Sequence, residues 1–167
     1  MRRGTLPVVV LCLLSLAPGV TLGVEPDGPA DVLRRYLQAL KSGNFEEAFD
    51  LVSTGMRQGK SKEQYVKESQ AVMGFADVKI FDFTVYPATI EGDKALVPNV
   101  LESQDRFVNT LGLTEHELYT LVREGGGWKV DAQTLVEPPD QAKWFGQKPG
   151  KEAKDAKADR PDDTAPH

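Results

Sequence analysis

The chain has 167 residues, of which 20 are basic, 25 are acidic and one is cysteine, and its formal net charge is −5. A negative net charge disfavours binding to the phosphate backbone of nucleic acids, so no nucleic-acid partner is predicted. A single cysteine excludes an intramolecular disulfide, so the fold must be held together by its apolar core.

The first predicted element is a leader over residues 1–23. Two arginines precede an apolar segment, residues 6–17, and small residues follow it, which is the order typical of a cleaved signal peptide. Pro18 and Gly19 interrupt the stretch that an uncleaved membrane anchor would need, so we expect no stable span after cleavage. Cleavage would also remove Cys12 and leave 18 basic and 25 acidic residues, a net charge of −7. The mature chain is therefore expected to be periplasmic or extracellular.

The domain predicted over residues 24–136 begins with two helices that meet at a tight corner. The first helix carries an apolar stripe at the three-and-four spacing, formed by Leu33, Tyr36, Leu37 and Leu40. Gly43 suits the left-handed conformation that ends a helix, and Asn44 with Glu47 forms the capping box of the next one. The second helix is expected to bury Phe45, Ala48, Phe49 and Val52. Both helices can then fold onto one common surface.

A third helix is predicted after a second capping box, Ser61 with Gln64, and ends at Gly74. Its apolar residues are Tyr65, Val66, Val72 and Met73. We expect all three helices to pack in the hollow of a bent sheet.

Strand patterns begin at Val78, and the apolar alternation of the segment 78–85 changes phase within the run, which predicts a bulge. A turn at 91–93 joins it to a returning strand over residues 95–101, in which Pro98 indicates an edge or an irregularity. Residues 104–116 carry no clear pattern.

Two further strands, over residues 118–123 and 128–135, alternate on either side of the glycine turn 125–127. Three helices followed by about four strands predict an α+β domain in which helices cover one face of an antiparallel sheet. Residues 137–167 are rich in proline and charge and are predicted to be a mostly disordered tail. Within it, Trp144 and Phe145 either dock on the domain or contact a partner.

Two segments carry a resemblance to a known superfamily. DVLRRYLQALKSGNFEEAFDLVS, followed later by LVREGGGWKVDAQT, resembles the nuclear transport factor 2-like superfamily of cystatin-like folds between residues 30 and 136. The resemblance implies a cone, in which a curved sheet wraps a long first helix around a pocket open at one end. The superfamily contains several kinds of protein. Some are small secreted bacterial proteins without assigned activity, some are enzymes such as isomerases, dehydratases and epoxide hydrolases, and some are binding or dimerisation modules. The fold alone therefore selects no function.

The ketosteroid isomerases of this superfamily allow a comparison residue by residue. Their first helix carries an Arg-Tyr pair, to which Arg35 and Tyr36 are similar, and this likeness implies that Tyr36 donates to an enolate. Their catalytic aspartate follows the second helix. In this chain that position corresponds to residues 55–60, which contain no carboxylate to act as the base. Their second donor would fall near Tyr119 or Thr120. An isomerase needs these groups together, so this activity is not expected.

The pocket candidates are Tyr36, Asp82, Tyr119, His116 and Trp128. Tyr36 either donates into a pocket or belongs to the core. Asp82, between two phenylalanines, either points into the pocket as an acid-base group or lies on the outer face of its strand. His116 is either a base or a solvated residue at a strand start, and the spacing predicts no metal or other cofactor. Trp128 is expected in the core.

The sequence therefore predicts an exported, non-catalytic domain that binds a small hydrophobic molecule or a partner. An enzyme of the isomerase or dehydratase type that uses Tyr36 and Asp82 is one alternative, and a homodimer formed through the sheet face is another. A cavity between Tyr36 and Asp82 would favour ligand binding or catalysis. A filled interior with an exposed apolar sheet would favour association.

Overall fold

The structure is a computed structural model that describes residues 27–146. The predicted leader and residues 147–167 of the predicted tail lie outside the described residues. The elements are α1 (Pro29–Ser42), α2 (Phe45–Leu51), α3 (Thr54–Arg57), α4 (Lys62–Phe75), β1 (Lys79–Val85), β2 (Thr89–Glu91), β3 (Lys94–Gln104), β4 (Thr114–Glu124), β5 (Gly127–Leu135) and α5 (Pro138–Phe145). The strands form one antiparallel sheet in the order β1-β3-β4-β5, and β2 also pairs with β3. The predicted α+β class is confirmed.

The helix α1 lies across one face of the sheet, which we call the inner face. Leu33 and Leu37 of α1 are fully buried, and each such leucine contributes about 2 kcal/mol by leaving water. They pack in one core with the strand residues Val85, Ala95, Val97, Leu121 and Val130. Gly43 ends α1 in the left-handed conformation, and the Asn44 side chain accepts a hydrogen bond from the backbone of the next helix. The predicted corner is confirmed.

The helix α4 does not pack as predicted. Its capping box is present, but none of its residues is buried, and Val72 is 64% exposed. Tyr65 contacts the ring of Phe49 in α2, with centroids 5.5 Å apart, and α4 packs on α2 rather than on the sheet. The polar Ser69 lies between Tyr65 and Met73 on the same helical face, so the apolar stripe is too weak to hold α4 in the hollow.

The strands are longer and more numerous than predicted. The bulge in β1 is confirmed, because the pairing register shifts between Ile80 and Asp82. Pro98 lies in the middle of a central strand, and its carbonyl accepts from the backbone amide of Tyr86 at 2.9 Å. Proline has no backbone N–H to donate. Because β1 ends at Val85, before the position opposite Pro98, no hydrogen bond between β1 and β3 is lost there. The unassigned segment 104–116 contains the end of β3, a loop and the start of β4.

Both outer edges of the sheet are partly covered. On β1, the Lys41 ammonium donates to the carbonyl of Phe81 at 2.6 Å. On β5, the segment after α2 forms a parallel bridge through Val52 and Val130. An open strand edge is a template for pairing with another chain, and these contacts occupy part of it.

The short helices α3 and α5 and the strand β2 were not predicted. The helix α5 falls in the segment that the sequence assigned to the tail, and the Phe145 ring at its end contacts the rings of His116 at 4.7 Å and Tyr86 at 5.3 Å. Phe145 therefore docks on the domain, and the packed structure extends past residue 136. Within residues 27–146, no helix has the length and apolar character needed to cross a membrane.

Candidate functional site

The inner face of the sheet changes from apolar to polar along its strands. Under α1, the buried residues are aliphatic, such as Val97 on β3 and Leu121 on β4. Toward the end of the sheet formed by the end of β3 and the start of β4, the inward residues are mostly polar, namely Asn99, Ser103, Glu115 and Glu117, with the apolar Leu101 among them. Buried polar groups need hydrogen-bond partners, so this half of the inner face is built differently from a simple core.

Glu117 is the centre of a hydrogen-bonded group on this face. Its side chain is 1% exposed. One carboxylate oxygen accepts from the Asn99 amide at 2.8 Å, and the other accepts from the amide of Gln133 on β5. Tyr119, two residues along β4, lies on the same face and interacts with Glu117. We call Asn99, Glu117, Tyr119 and Gln133 the inner polar cluster.

Burial of Glu117 changes its acidity. Loss of water around the carboxylate raises the pKa of Glu117 from 4.5 to about 7, the hydrogen bond from Asn99 opposes this shift, and the charge of Glu115 adds to it. Glu115 is itself half-buried and accepts from the Ser103 hydroxyl at 2.8 Å. Glu117 therefore changes its protonation state near neutral pH.

Asn99 has an unused hydrogen-bonding atom inside the cluster. Its side chain is completely buried and its amide group donates to Glu117, but no residue in the range 27–146 donates to its Oδ1. A buried acceptor without a partner costs about 1–3 kcal/mol. Such an atom beside a buried acid indicates a position where a ligand can supply the missing donor.

Two tyrosines connect the cluster to the helices. The rings of Tyr119 and Tyr36 pack edge to face with centroids 6.3 Å apart, and Tyr36 also interacts with Tyr65 on α4. Burial raises the pKa of both Tyr36 and Tyr119 above the ordinary value, so both remain neutral donors. Tyr36 also lines a cleft of about 290 Å³ between α1, α2 and α4.

The loop 105–113 at this end of the sheet is held by two polar residues. The Asp105 carboxylate accepts from the backbone amides of Phe107, Val108 and Asn109 at 2.6–2.9 Å, and these bonds lower the pKa of Asp105. Asn109 is buried, and its side chain makes three hydrogen bonds: it donates to the carbonyls of Ser103 and Leu113 and accepts from the amide of Leu113. The loop is therefore well ordered by its own hydrogen bonds.

This ordered loop presents apolar side chains to solvent. Val108 is 87% exposed and Leu113 is 61% exposed. The Phe107 ring lies 5.3 Å from that of Phe75 at the end of α4. We call the exposed apolar residues here the apolar rim; they are Phe75, Phe107, Val108, Leu111 and Leu113. Contiguous exposed apolar residues on an ordered loop mark a binding surface.

Tyr36 and Asp82 are not brought together. Asp82 lines a separate cleft of about 430 Å³ between α1 and β1, which also contains Arg35 and Lys41. One carboxylate oxygen of Asp82 accepts from the backbone amide of Phe83 at 2.9 Å. Because the two residues line different clefts, the structure offers no acid-base pair formed by them.

The remaining candidates lie in three different places. Tyr119 belongs to the inner polar cluster. His116 is half-buried on the opposite, outer face, against Phe145 of α5 rather than at a solvated strand start. Trp128 is buried in the core, as expected, with the Arg123 guanidinium 4.6 Å from its ring centroid. In the described part of the chain, no three His, Cys, Asp or Glu side chains are grouped to hold a metal ion.

Sequence reasoning missed Asn99, Glu117 and Gln133. The sequence contains a signal for Glu117. Side chains alternate between the two faces of a strand, so Glu117 shares the face of Tyr119 and Leu121 once the predicted strand is extended by one residue at its start. The predicted strand begins at Leu118, so Glu117 lies outside it and its face is not assigned.

Comparison with known proteins identifies similar folds. No family model matches the chain, and no curated protein matches it. Among solved structures, the chain is similar to an NTF2-like protein from Cytophaga hutchinsonii, with 18% identity over 64% of this chain and 92% of that one and a TM-score of 0.47. It is also similar to a cystatin-like-fold protein of unknown function from Nostoc punctiforme, with 16% identity, coverage of 64% and 86%, and a TM-score of 0.44.

A third similar structure is a SEC-C motif-containing protein from Rhodopseudomonas palustris, with 14% identity over 66% of this chain and 83% of that one and a TM-score of 0.50. The first two structures carry the names of the superfamily that the sequence resembles, NTF2-like and cystatin-like fold. At these identities the likeness concerns the fold and carries no activity.

Proposed function

We propose that this chain is an exported, non-catalytic domain that binds a small, largely apolar molecule on the inner face of its sheet. The observation that carries the proposal is the buried, unpartnered Oδ1 of Asn99 beside Glu117. An apolar residue at either position would avoid the cost of burying these groups, so a core with no further role gains nothing from them.

The approach to the cluster is proposed at the exposed end of β5 and beside the apolar rim, whose Leu113 directly precedes β4 and lies four residues before Glu117. Leu135 pairs with Glu117 and Gln133 pairs with Tyr119, so both lie on the inner face, and both are exposed. The amide of Gln133 is one of the groups that cover the Glu117 carboxylate. Rotation of this one exposed side chain would uncover one carboxylate oxygen without moving the backbone.

A charge placed in the apolar rim should weaken binding. We expect Leu113→Asp to reduce affinity for the neutral fluorescent probe N-phenyl-1-naphthylamine by about tenfold or more, because an apolar ligand would then desolvate a carboxylate. Fluorescence titration of the purified protein measures this. The matched control is Ile90→Asp, since Ile90 is similarly exposed at 54% but lies on β2, about 25 Å away along β3. Equal effects of both variants would contradict a site at the rim.

The proposed export depends on the leader, residues 1–23. Expression of the full chain in a bacterial host should yield a mature protein that starts near Val24 and is recovered outside the cytoplasm. Intact-mass measurement of the fractionated protein tests this. An uncleaved chain in the soluble cytoplasm would contradict it.

Catalysis by Glu117 is the second candidate, and its pKa of about 7 favours it, because such a carboxyl can both accept and donate a proton at neutral pH. Native mass spectrometry of wild type and Glu117→Gln purified from their own host identifies the molecule that each retains, and the NMR spectrum of the molecule released from Glu117→Gln is then followed after wild-type protein is added. A binding domain leaves that spectrum unchanged. An enzyme converts the molecule, and an isomerisation is visible in the spectrum even though it conserves mass. The native mass spectra also report whether two copies associate.

A further inference from the structure

We infer that the inner polar cluster selects ligands whose polar end donates a hydrogen bond and carries no negative charge. This inference rests on the proposed function and specifies the chemical class of its ligand. Apolar alcohols, amides and amines belong to this class, whereas fatty acids in their ionised form and phosphate esters do not.

The hydrogen-bond inventory of the cluster supplies the first argument. The amide nitrogens of Asn99 and Gln133 each already donate to Glu117, so neither is a buried donor without a partner. The atom left over in the described structure is an acceptor, Oδ1 of Asn99. An incoming group that satisfies it must bring an N–H or O–H.

Charge supplies the second argument. Glu115 and Glu117 are two positions apart on β4 and lie on the same face, and the charge of Glu115 acts on Glu117. The groups that donate to Glu117 are the amides of Asn99 and Gln133 rather than a cation. Tyr36, which faces the cluster from α1, is neutral. An anionic headgroup would therefore meet carboxylates with no counter-charge, at a cost that grows as Glu117 ionises.

A hydroxyl fits both protonation states of Glu117. It can donate to Asn99 Oδ1 while it accepts from a protonated Glu117, or approach an ionised Glu117 as a donor. An ammonium fits the ionised state, where its charge is balanced. The two carboxyl groups and the Asn99 Oδ1 thus disfavour a negatively charged headgroup. They place no requirement on the apolar body of the ligand.

Three probes with one apolar body test the inference: 2-naphthylmethanol, 2-naphthylmethylamine and 2-naphthoate. At neutral pH they are neutral, cationic and anionic. We expect the alcohol and the amine to bind the wild-type protein in calorimetric titrations and the carboxylate to bind about tenfold more weakly. Glu117→Gln should bring the carboxylate to within about threefold of the alcohol, because the amide carries no charge. Glu91→Gln, an exposed change on β2, should leave the order unchanged.

The outcomes separate the inference from the function on which it rests. If 2-naphthoate binds the wild type within about threefold of the alcohol, the headgroup inference is overturned while the binding function stands. If none of the three probes binds, both are overturned. If the carboxylate is rejected but Glu117→Gln does not restore it, the selection does not arise from this residue and the inference fails.

Discussion

Replacing Glu117 by glutamine is expected to remove a pH dependence from the stability of the protein. The folded-state pKa of Glu117 is about 7 and its ordinary value is 4.5, so the unfolded chain releases this proton at lower pH than the folded chain does. The stabilising contribution of protonated Glu117 is therefore fully present below about pH 4.5 and is lost as the pH rises to about 7. Over that window, wild-type unfolding free energy should fall by about 3 kcal/mol through this residue alone.

Urea denaturation at a series of pH values measures the effect. Between pH 4.5 and pH 8, the free energy of unfolding of Glu117→Gln should rise by about 3 kcal/mol relative to that of the wild type, because glutamine does not ionise. Asp105 and Glu124, whose pKa values are lowered, contribute with the opposite sign at lower pH, and the difference between the two proteins cancels them. The control Glu91→Gln should run parallel to wild type. Parallel curves for Glu117→Gln would show that Glu117 is not desolvated.

Asn109→Ala is expected to lower the free energy of unfolding by about 3 kcal/mol. The change removes three hydrogen bonds of 2.6–2.8 Å and leaves the carbonyl of Ser103 on β3 and the carbonyl and amide of Leu113 without these partners. Because the same bonds shape the apolar rim, the variant should also bind the neutral probe more weakly than wild type does.

Chemical denaturation and amide hydrogen exchange at Leu113 measure the two consequences of Asn109→Ala. Exchange of the Leu113 amide should accelerate, since its acceptor is the lost Oδ1. Gln104→Ala is the matched control, because Gln104 makes a single bond to the same loop, at Thr110, and should cost about 0.5 kcal/mol. A change of similar size in both variants would show that Asn109 does not organise the loop.

The fold was predictable where short-range chemistry decides the backbone. The left-handed Gly43, the caps at Asn44 and Ser61 and the bulge in β1 each depend on residues within a few positions of one another, and each is found as expected. Burial of α4 was not predictable in this way, because a helix with a weak apolar stripe can face a sheet or stand away from it.

The candidate site was predictable only in part, because its members come from distant strands. Tyr36 and Tyr119 were identified separately as aromatic residues with a polar end, but their contact depends on how α1 crosses the sheet. Glu117 meets Asn99 and Gln133 only through the pairing of β4 with β3 and β5. Charged residues at strand ends are usually solvated, so the sequence around Glu117 favours an exposed side chain, whereas the structure buries it.

The covered edges of the sheet bear on how the protein behaves at high concentration. Lys41 donates to a carbonyl of the edge strand β1, and Val52 pairs with the edge strand β5. Part of each outer edge is therefore closed to the backbone of a second molecule. Growth of fibrils by successive strand addition is thereby hindered, even though the apolar rim remains available for contact. Removing the Lys41 side chain would reopen one margin and make that route of self-assembly accessible.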